Sequence, residues 1–175
     1  MNSGGHMIRR ELYLRKINDA MDSDFVKVFI GMRRCGKTEL MLITIDELKQ
    51  KGITDENIIY VSLEDKKYYD ITDYKMLDEV IYSLAENSTG KIYIFIDEIQ
   101  QVNKLEKSIN GYRKSLDCDI YISGSNSKLL SAELSTYLAG RCIEIKVYPF
   151  SYSEILQYKK HEGLTINEKE FSMNT

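Results

Sequence analysis

Gly31-Met32-Arg33-Arg34-Cys35-Gly36-Lys37-Thr38 sets two glycines, a lysine and a threonine at the spacing G-x-x-x-x-G-K-T. Each residue type suits a polyphosphate. The glycines let the backbone wrap tightly enough for several N–H groups to face one anion. A helix opening from the loop adds unpaired N–H donors and a partial positive charge. Lys37 is expected to reach the β- and γ-phosphates of a bound nucleotide, and the Thr38 hydroxyl to hold Mg²⁺. Arg33 and Arg34 add positive charge beside the phosphates or face a partner. Cys35 brings an oxidisable thiol into the loop, with no sign of a redox role.

A second constellation is Ile92-Tyr93-Ile94-Phe95-Ile96-Asp97-Glu98, a hydrophobic strand ending in two acids. Asp97 at the strand's carboxyl end is expected to orient Mg²⁺, usually through a coordinated water. Glu98, one residue further, is placed to polarise an attacking water. Phosphate loop and acid pair together have the form of the Walker A and Walker B motifs.

These side chains need elements to position them. Residues 25–30 are β-branched and aromatic, as a strand feeding the loop should be. Residues 39–51 carry six aliphatic or methionine side chains without Gly or Pro and read as a mostly buried helix ending at Gly52. Further strands are expected at 58–63, 91–96, 119–123 and 142–147. Helices are expected at 8–21, 73–86, 105–116 and 126–138, with a charged, aromatic loop at 64–70. In the first helix Leu12, Ile17 and Met21 are the candidate inward positions. In the second, Leu77, Val80, Ile81 and Leu84 share a face and Asp73 is a candidate cap. Strands alternating with helices argue a parallel sheet covered on both faces.

The 175 residues suffice for one domain with a substantial core. Hydrophobic residues make up 43%, charged residues 29%, and the formal net charge is −3, which excludes a disordered chain and argues against a chain-wide nucleic-acid footprint. No apolar run approaches the roughly 20 residues that span a bilayer. Neither a membrane-spanning segment nor a secretory signal is expected. Three scattered cysteines, Cys35, Cys118 and Cys142, read as free thiols of a cytoplasmic protein. Residues 1–7 resemble an expression-vector scar, so His6 is read as vector-derived, and His161 as a solvated surface residue. Residues 8–156 are expected to form the domain. The polar residues 157–175 are expected to begin a truncated C-terminal region.

Together G-M-R-R-C-G-K-T, I-F-I-D-E-I-Q, S-G-S-N-S, L-A-G-R and Y-P-F-S-Y-S-E-I resemble the AAA-like prokaryotic ATPases, across roughly residues 8–156. In that family the ATPase module typically precedes a further C-terminal domain. The separation of the two motifs by a complete strand and helix matches the additional-strand class of P-loop ATPases. The resemblance implies a three-layer α/β sandwich with a five-stranded parallel sheet of order 5-1-4-3-2. It implies ATP binding and hydrolysis, and gives two further residues a place in the site. Asn126, after the fourth strand, occupies the position called sensor 1, where it would contact the γ-phosphate or the attacking water; an N-cap role for Ser125 or Asn126 is the alternative. Arg141, just before the fifth strand, stands where clamp-loader-like relatives place an arginine finger into a neighbouring subunit's nucleotide. Its alternative is a surface arginine favoured by a helix C-terminus. No counterpart of the helical lid that carries the sensor 2 arginine of typical AAA proteins is expected within these residues.

The leading expectation is a Mg²⁺-dependent ATPase that drives a conformational change. A nucleotide-gated interaction switch with little hydrolysis is the alternative, and a small-molecule P-loop kinase a lesser one. Asn103-Lys104-Leu105-Glu106 only faintly echoes the guanine-reading N-K-x-D of GTPases. Partners beyond ATP and ADP would be a second copy through Arg141, a protein, or DNA. Lys66-Lys67-Tyr68-Tyr69 could stack on bases, and aromatic packing in a solvated loop is the simpler account.

Overall fold

Strand residues of this chain alternate sharply between two apolar surfaces, and that alternation builds the layers. In the computed structural model, which describes residues 10–125, 132–151 and 154, the order is α1 (Glu11–Ala20), β1 (Val26–Ile30), α2 (Lys37–Gln50), β2 (Ile58–Ser62), α3 (Tyr74–Ala85), β3 (Ile92–Asp97), α4 (Leu105–Ser115), β4 (Cys118–Gly124), α5 (Ala132–Leu138) and β5 (Cys142–Lys146). Short 3₁₀ turns cover Asp55–Asn57 and Ile99–Gln101. The strands pair in the order β2-β3-β4-β1-β5. Every ladder is parallel. This is the expected 5-1-4-3-2 sheet.

Successive strand side chains point to opposite faces. Val26, Val28, Ile94, Ile96, Ile120 and Ile122 pack with Leu77, Ile81, Ile109 and Leu138 of α3, α4 and α5. Phe29, Tyr93, Phe95, Tyr121 and Ile145 pack with Leu14, Ile17, Leu40, Met41 and Leu48 of α1 and α2. Three layers result. Phe95 and Tyr121, opposite each other in the β3–β4 ladder, stack with centroids 4.4 Å apart. The second face also holds a charge. Lys27, fully buried, is paired with Asp119. Asp119 also accepts from the Tyr121 hydroxyl at 2.9 Å and from the Asp22 N–H at 2.8 Å.

Element ends follow their local signals. The Asp73 carboxylate accepts from the N–H groups of Lys75 and Met76 at 2.9 and 3.1 Å, capping α3 as expected. Gly52 follows α2 at φ +92°, the left-handed region where glycine is favoured. Two inward positions need correction. Leu12 is 80% exposed, because Leu14, Ile17 and Ala20 define the buried stripe of α1 and Leu12 lies about 200° round the helix from Leu14. Leu84 is 39% exposed, three residues beyond Ile81 and at the open end of α3. β3 runs one residue further than expected and includes Asp97 itself. Tyr68 of the 64–70 loop is buried in the core beneath Lys67, whose ammonium lies 4.9 Å from the ring centre. Tyr68 thus fits the aromatic-packing account, whereas Tyr69 is 68% exposed. No helix of the described residues is long and apolar enough to cross a membrane.

Candidate functional site

α2 follows β1 on one face of the sheet, and α5 follows the adjacent β4 on the other. The chain therefore diverges above the carboxyl ends of β1 and β4, the place where open α/β sheets receive ligands. The 31–38 loop sits there. Gly31 is required by close approach: a Cβ on it would lie 2.3 Å from the Val147 carbonyl oxygen and 2.6 Å from the Cys35 sulfur. Gly36 is required by conformation, at φ +97°. Arg34 is also left-handed, at φ 64°. Gly31→Ala is expected to lower unfolding stability by about 1–3 kcal/mol, the range for overpacking a tight site. Urea unfolding of the variant measures it.

Lys37 opens α2 and is 3% exposed. Its ammonium donates to the carbonyls of Gly31 at 3.3 Å and Met32 at 3.1 Å, and lies 3.2 Å from Glu98 Oε1. Thr38 Oγ1 donates to Asp97 Oδ2 at 2.7 Å. Asp97, at the end of β3, is 1% exposed and also accepts from the hydroxyls of Ser123 and Tyr60. Burial, then the charge of Asp97, pushes the Tyr60 hydroxyl's pKa up, so Tyr60 stays a donor. Ser123 lies in β4, between the loop strand and β3. It donates to Asp97 and accepts from the Glu98 N–H at 3.0 Å. Glu98 holds φ 60° and ψ 56°, a left-handed conformation uncommon for a non-glycine residue. Its carboxylate accepts from the Gln100 side-chain amide.

The fold thus brings Gly31, Met32, Arg34, Cys35, Gly36, Lys37, Thr38, Asp97 and Glu98 to one edge. A cleft of ≈ 390 Å³ is lined by Arg34, Gly36, Lys37, Thr38, Glu39, Leu42, Glu98 and Phe150. Arg33 turns away to a 2.8 Å ion pair with Glu64, whereas Arg34 lines the cleft. Cys35 is buried. Arg141 stands at the amino end of β5, a five-residue strand, so roughly 16 Å of strand at about 3.3 Å per residue separates it from its own chain's loop. Its guanidinium donates to the Tyr137 carbonyl at 3.1 Å, at the C-terminus of α5. Asn126 lies outside the described residues.

The Mg²⁺ expectation fits the donor set. Thr38 and Asp97 offer two hard oxygen donors held together, and Mg²⁺ is commonly held by one or two protein oxygens with phosphates and waters completing its shell. A larger cleft of ≈ 470 Å³ lies at the opposite, amino ends of the strands, against Asn110, Arg113 and Cys118, away from all of these groups. Burial pushes the Cys118 thiol's pKa up to about 11, so it stays protonated. Ser123, Tyr60, Gln100 and Arg10 were not legible as site residues. Ser123 and Tyr60 had one signal, polar residues near strand ends next to the motif strands.

The AAA domain family matches residues 23–156. The chain is 44% identical over 153 residues to an uncharacterized protein of Haemophilus influenzae, covering 87% of this chain and 38% of that protein. It is 34% identical over 136 residues to an uncharacterized protein of Methanocaldococcus jannaschii, covering 77% of this chain and 29% of that one. The chain therefore spans well under half the length of these relatives. Among solved structures, it superposes on a DNA polymerase III gamma subunit-related protein of Thermotoga maritima with a TM-score of 0.59 at 11% identity, covering 85% of this chain and 49% of that one. It superposes on AMPPCP-bound DnaA from Aquifex aeolicus with a TM-score of 0.58 at 17% identity, covering 90% and 52%. A closed state of Hsp104 with ATPγS and FITC casein gives 0.59 at 17% identity, covering 88% and 29%. At these identities the likeness is one of fold.

Proposed function

The chain belongs to the AAA domain family, and on that premise we propose that it binds ATP with Mg²⁺ and hydrolyses it to ADP and phosphate to drive a conformational change. One observation carries the reading. Lys37, Thr38, Asp97 and Glu98 converge at the carboxyl ends of β1 and β3, with Thr38 on Asp97 and Lys37 beside Glu98. The superposed DnaA and Hsp104 structures hold the nucleotide analogues AMPPCP and ATPγS, which supports nucleotide as the ligand.

In this reading the loop N–H groups and Lys37 bind and orient the β- and γ-phosphates. Thr38 and Asp97 would hold Mg²⁺, which when bound neutralises charge on the phosphate oxygens. Glu98 orients a water for in-line attack and takes its proton, as the bond to the γ-phosphorus forms and the β–γ bridging bond breaks to release ADP. Ser123 fixes both acids at once. It touches the Asp97 carboxylate and the Glu98 backbone, which keeps the two carboxylates in register. Residues 8–156 form the ATPase module. Arg141, too far from its own loop, serves the nucleotide of a second copy, so the active form is a homo-oligomer. A protein or DNA client would be reached through regions that the longer relatives contain.

Steady-state ATP hydrolysis with Mg²⁺, across a protein concentration series, tests this. Lys37→Ala is expected to weaken ATP binding about tenfold or more, because a buried charge-assisted contact to phosphate is lost. A specific rate that rises with concentration is expected if Arg141 acts between copies. Tight binding without turnover at every concentration overturns hydrolysis and favours a nucleotide-gated switch.

A further inference from the structure

We propose that Arg10 is a positioning residue of the phosphate loop, that Glu154 sets its grip, and that ATP binding is thereby coupled to docking of the chain that follows β5. The coupling rests on the reading of this loop as an ATP site.

Arg10 precedes α1, in a charge-rich stretch, yet it is 5% exposed. All three guanidinium nitrogens are used. Nη1 donates to the Cys35 carbonyl at 3.2 Å and to the Tyr148 carbonyl at 2.8 Å. Nε donates to Glu154 Oε1 at 2.7 Å, and Nη2 to Glu154 Oε2 at 3.3 Å. Nη2 also reaches the Tyr13 hydroxyl at 3.4 Å. The rings of Tyr13 and Phe150 lie 4.3 and 4.8 Å from the guanidinium carbon. One side chain therefore ties the loop to the segment leaving the sheet.

Cys35 is the informative contact. Its carbonyl shares a planar trans peptide with the Gly36 N–H, so holding the oxygen aims that N–H to the opposite side. Gly36 has no side chain to hold the plane, and its φ of +97° is one of many open to glycine. The aim of the N–H is thus set from outside the loop, by Arg10. Glu154 in turn is held by a capping box. Its Oε2 accepts from the Ser151 N–H at 2.7 Å and the Ser151 hydroxyl at 2.8 Å, and its own N–H returns to Ser151 Oγ at 3.3 Å. Burial raises the Glu154 pKa, but Arg10 and Ser151 outweigh it, and the net shift is downward. A ligand that favours the aimed loop must favour the docked segment by the same factor. Lysine cannot substitute, because a point charge lacks the planar fork that meets two carbonyls and both carboxylate oxygens.

The test uses Arg10→Lys and Glu154→Gln in the full chain. The readouts are affinity for a fluorescent ATP analogue with Mg²⁺, and amide hydrogen exchange in peptides over 31–38 and 146–151. In wild type, ATP is expected to slow exchange in both peptides. Arg10→Lys is expected to weaken binding about tenfold, to speed exchange in 31–38 without nucleotide, and to abolish the ATP effect at 146–151. Glu154→Gln is expected to act in the same direction, more weakly. A folded variant that keeps wild-type affinity and the ATP effect at 146–151 overturns the proposal. If Arg10→Lys fails to fold, Glu154→Gln decides, since that side chain is 23% exposed and removable without a core defect. A wild type that binds no ATP overturns the coupling together with the ATP reading. Loop exchange without nucleotide still separates an aimed loop from a free one.

Discussion

Glu98→Gln is expected to lower kcat for ATP hydrolysis by roughly 10²–10⁴-fold while ATP binding survives. The substitution keeps shape and removes the negative charge together with the capacity to accept a proton. Lys37 loses its 3.2 Å ion pair with Glu98 but keeps the Gly31 and Met32 carbonyls, so its place against the loop is retained. The left-handed backbone at position 98 is the same for both side chains, and Ser123 holds the residue through its N–H rather than its carboxylate. The loss should therefore fall on kcat and not on KM, the signature of an interaction made only in the transition state. Steady-state kinetics beside equilibrium ATP binding measures it. An unchanged kcat would assign Glu98 to restraining Lys37 and not to water activation.

Asp119→Ala is expected to cost about 3–5 kcal/mol of stability, the range for removing one partner of a buried ion pair. At this chain length that is a fall in Tm of roughly 6–20 °C. Burial already pushes the Lys27 pKa down against the pull of Asp119. Without the carboxylate, Lys27 keeps the Ser23 carbonyl, at 3.1 Å, and the Tyr121 ring, 5.3 Å from its ammonium, and must lose its proton or draw in water. The Tyr121 hydroxyl and Asp22 N–H lose their acceptor as well. For that reason the double substitution Lys27→Met with Asp119→Leu should not restore full stability, although many buried pairs tolerate such a swap. Adding Tyr121→Phe should recover part of the remainder. Thermal unfolding checks the series. ATP affinity serves as the control, because this network sits at the amino ends of the strands and the phosphate loop at the other.

Local signals reached far into this molecule. The uninterrupted apolar run of β3 declared a strand buried on both faces, and Asp73 declared its cap. The loop glycines, expected from the motif's spacing, stand where close approach and a positive φ require them. What escaped were residues whose roles depend on partners distant in the chain. Arg10 is one charge among many in its stretch, and its role shows only when Cys35, Tyr148 and Glu154 are folded around it. Lys27 interrupts an apolar strand, and nothing near it in sequence announces Asp119. Ser123 lies inside a motif that drew the eye to Asn126, yet its importance follows from the β3-β4-β1 order, which sets it between both acids and the loop. Leu12 was misplaced because apolar type alone outweighed its angle round α1.

The strand that carries the phosphate loop has an effect on how the chain is born. β1 is flanked by β4 and β5, and its ladders join Val28 to Ile122 and Val26 to Cys142. On the ribosome, β1 emerges before β4 and β5 and finds neither neighbour until residues beyond about 118 have been made. At typical synthesis rates this leaves it unpaired for on the order of ten seconds. Nucleotide cannot assist during that interval, because the loop has no frame until its strand is paired. The β2–β3 ladder, matched residue for residue from Ile58–Tyr93 onward, needs no later strand and is expected to form first, while β1 awaits its partners. Chaperone demand should therefore peak before β4 is complete and fall once it has paired, and a chain released before β5 should be the species most prone to aggregate.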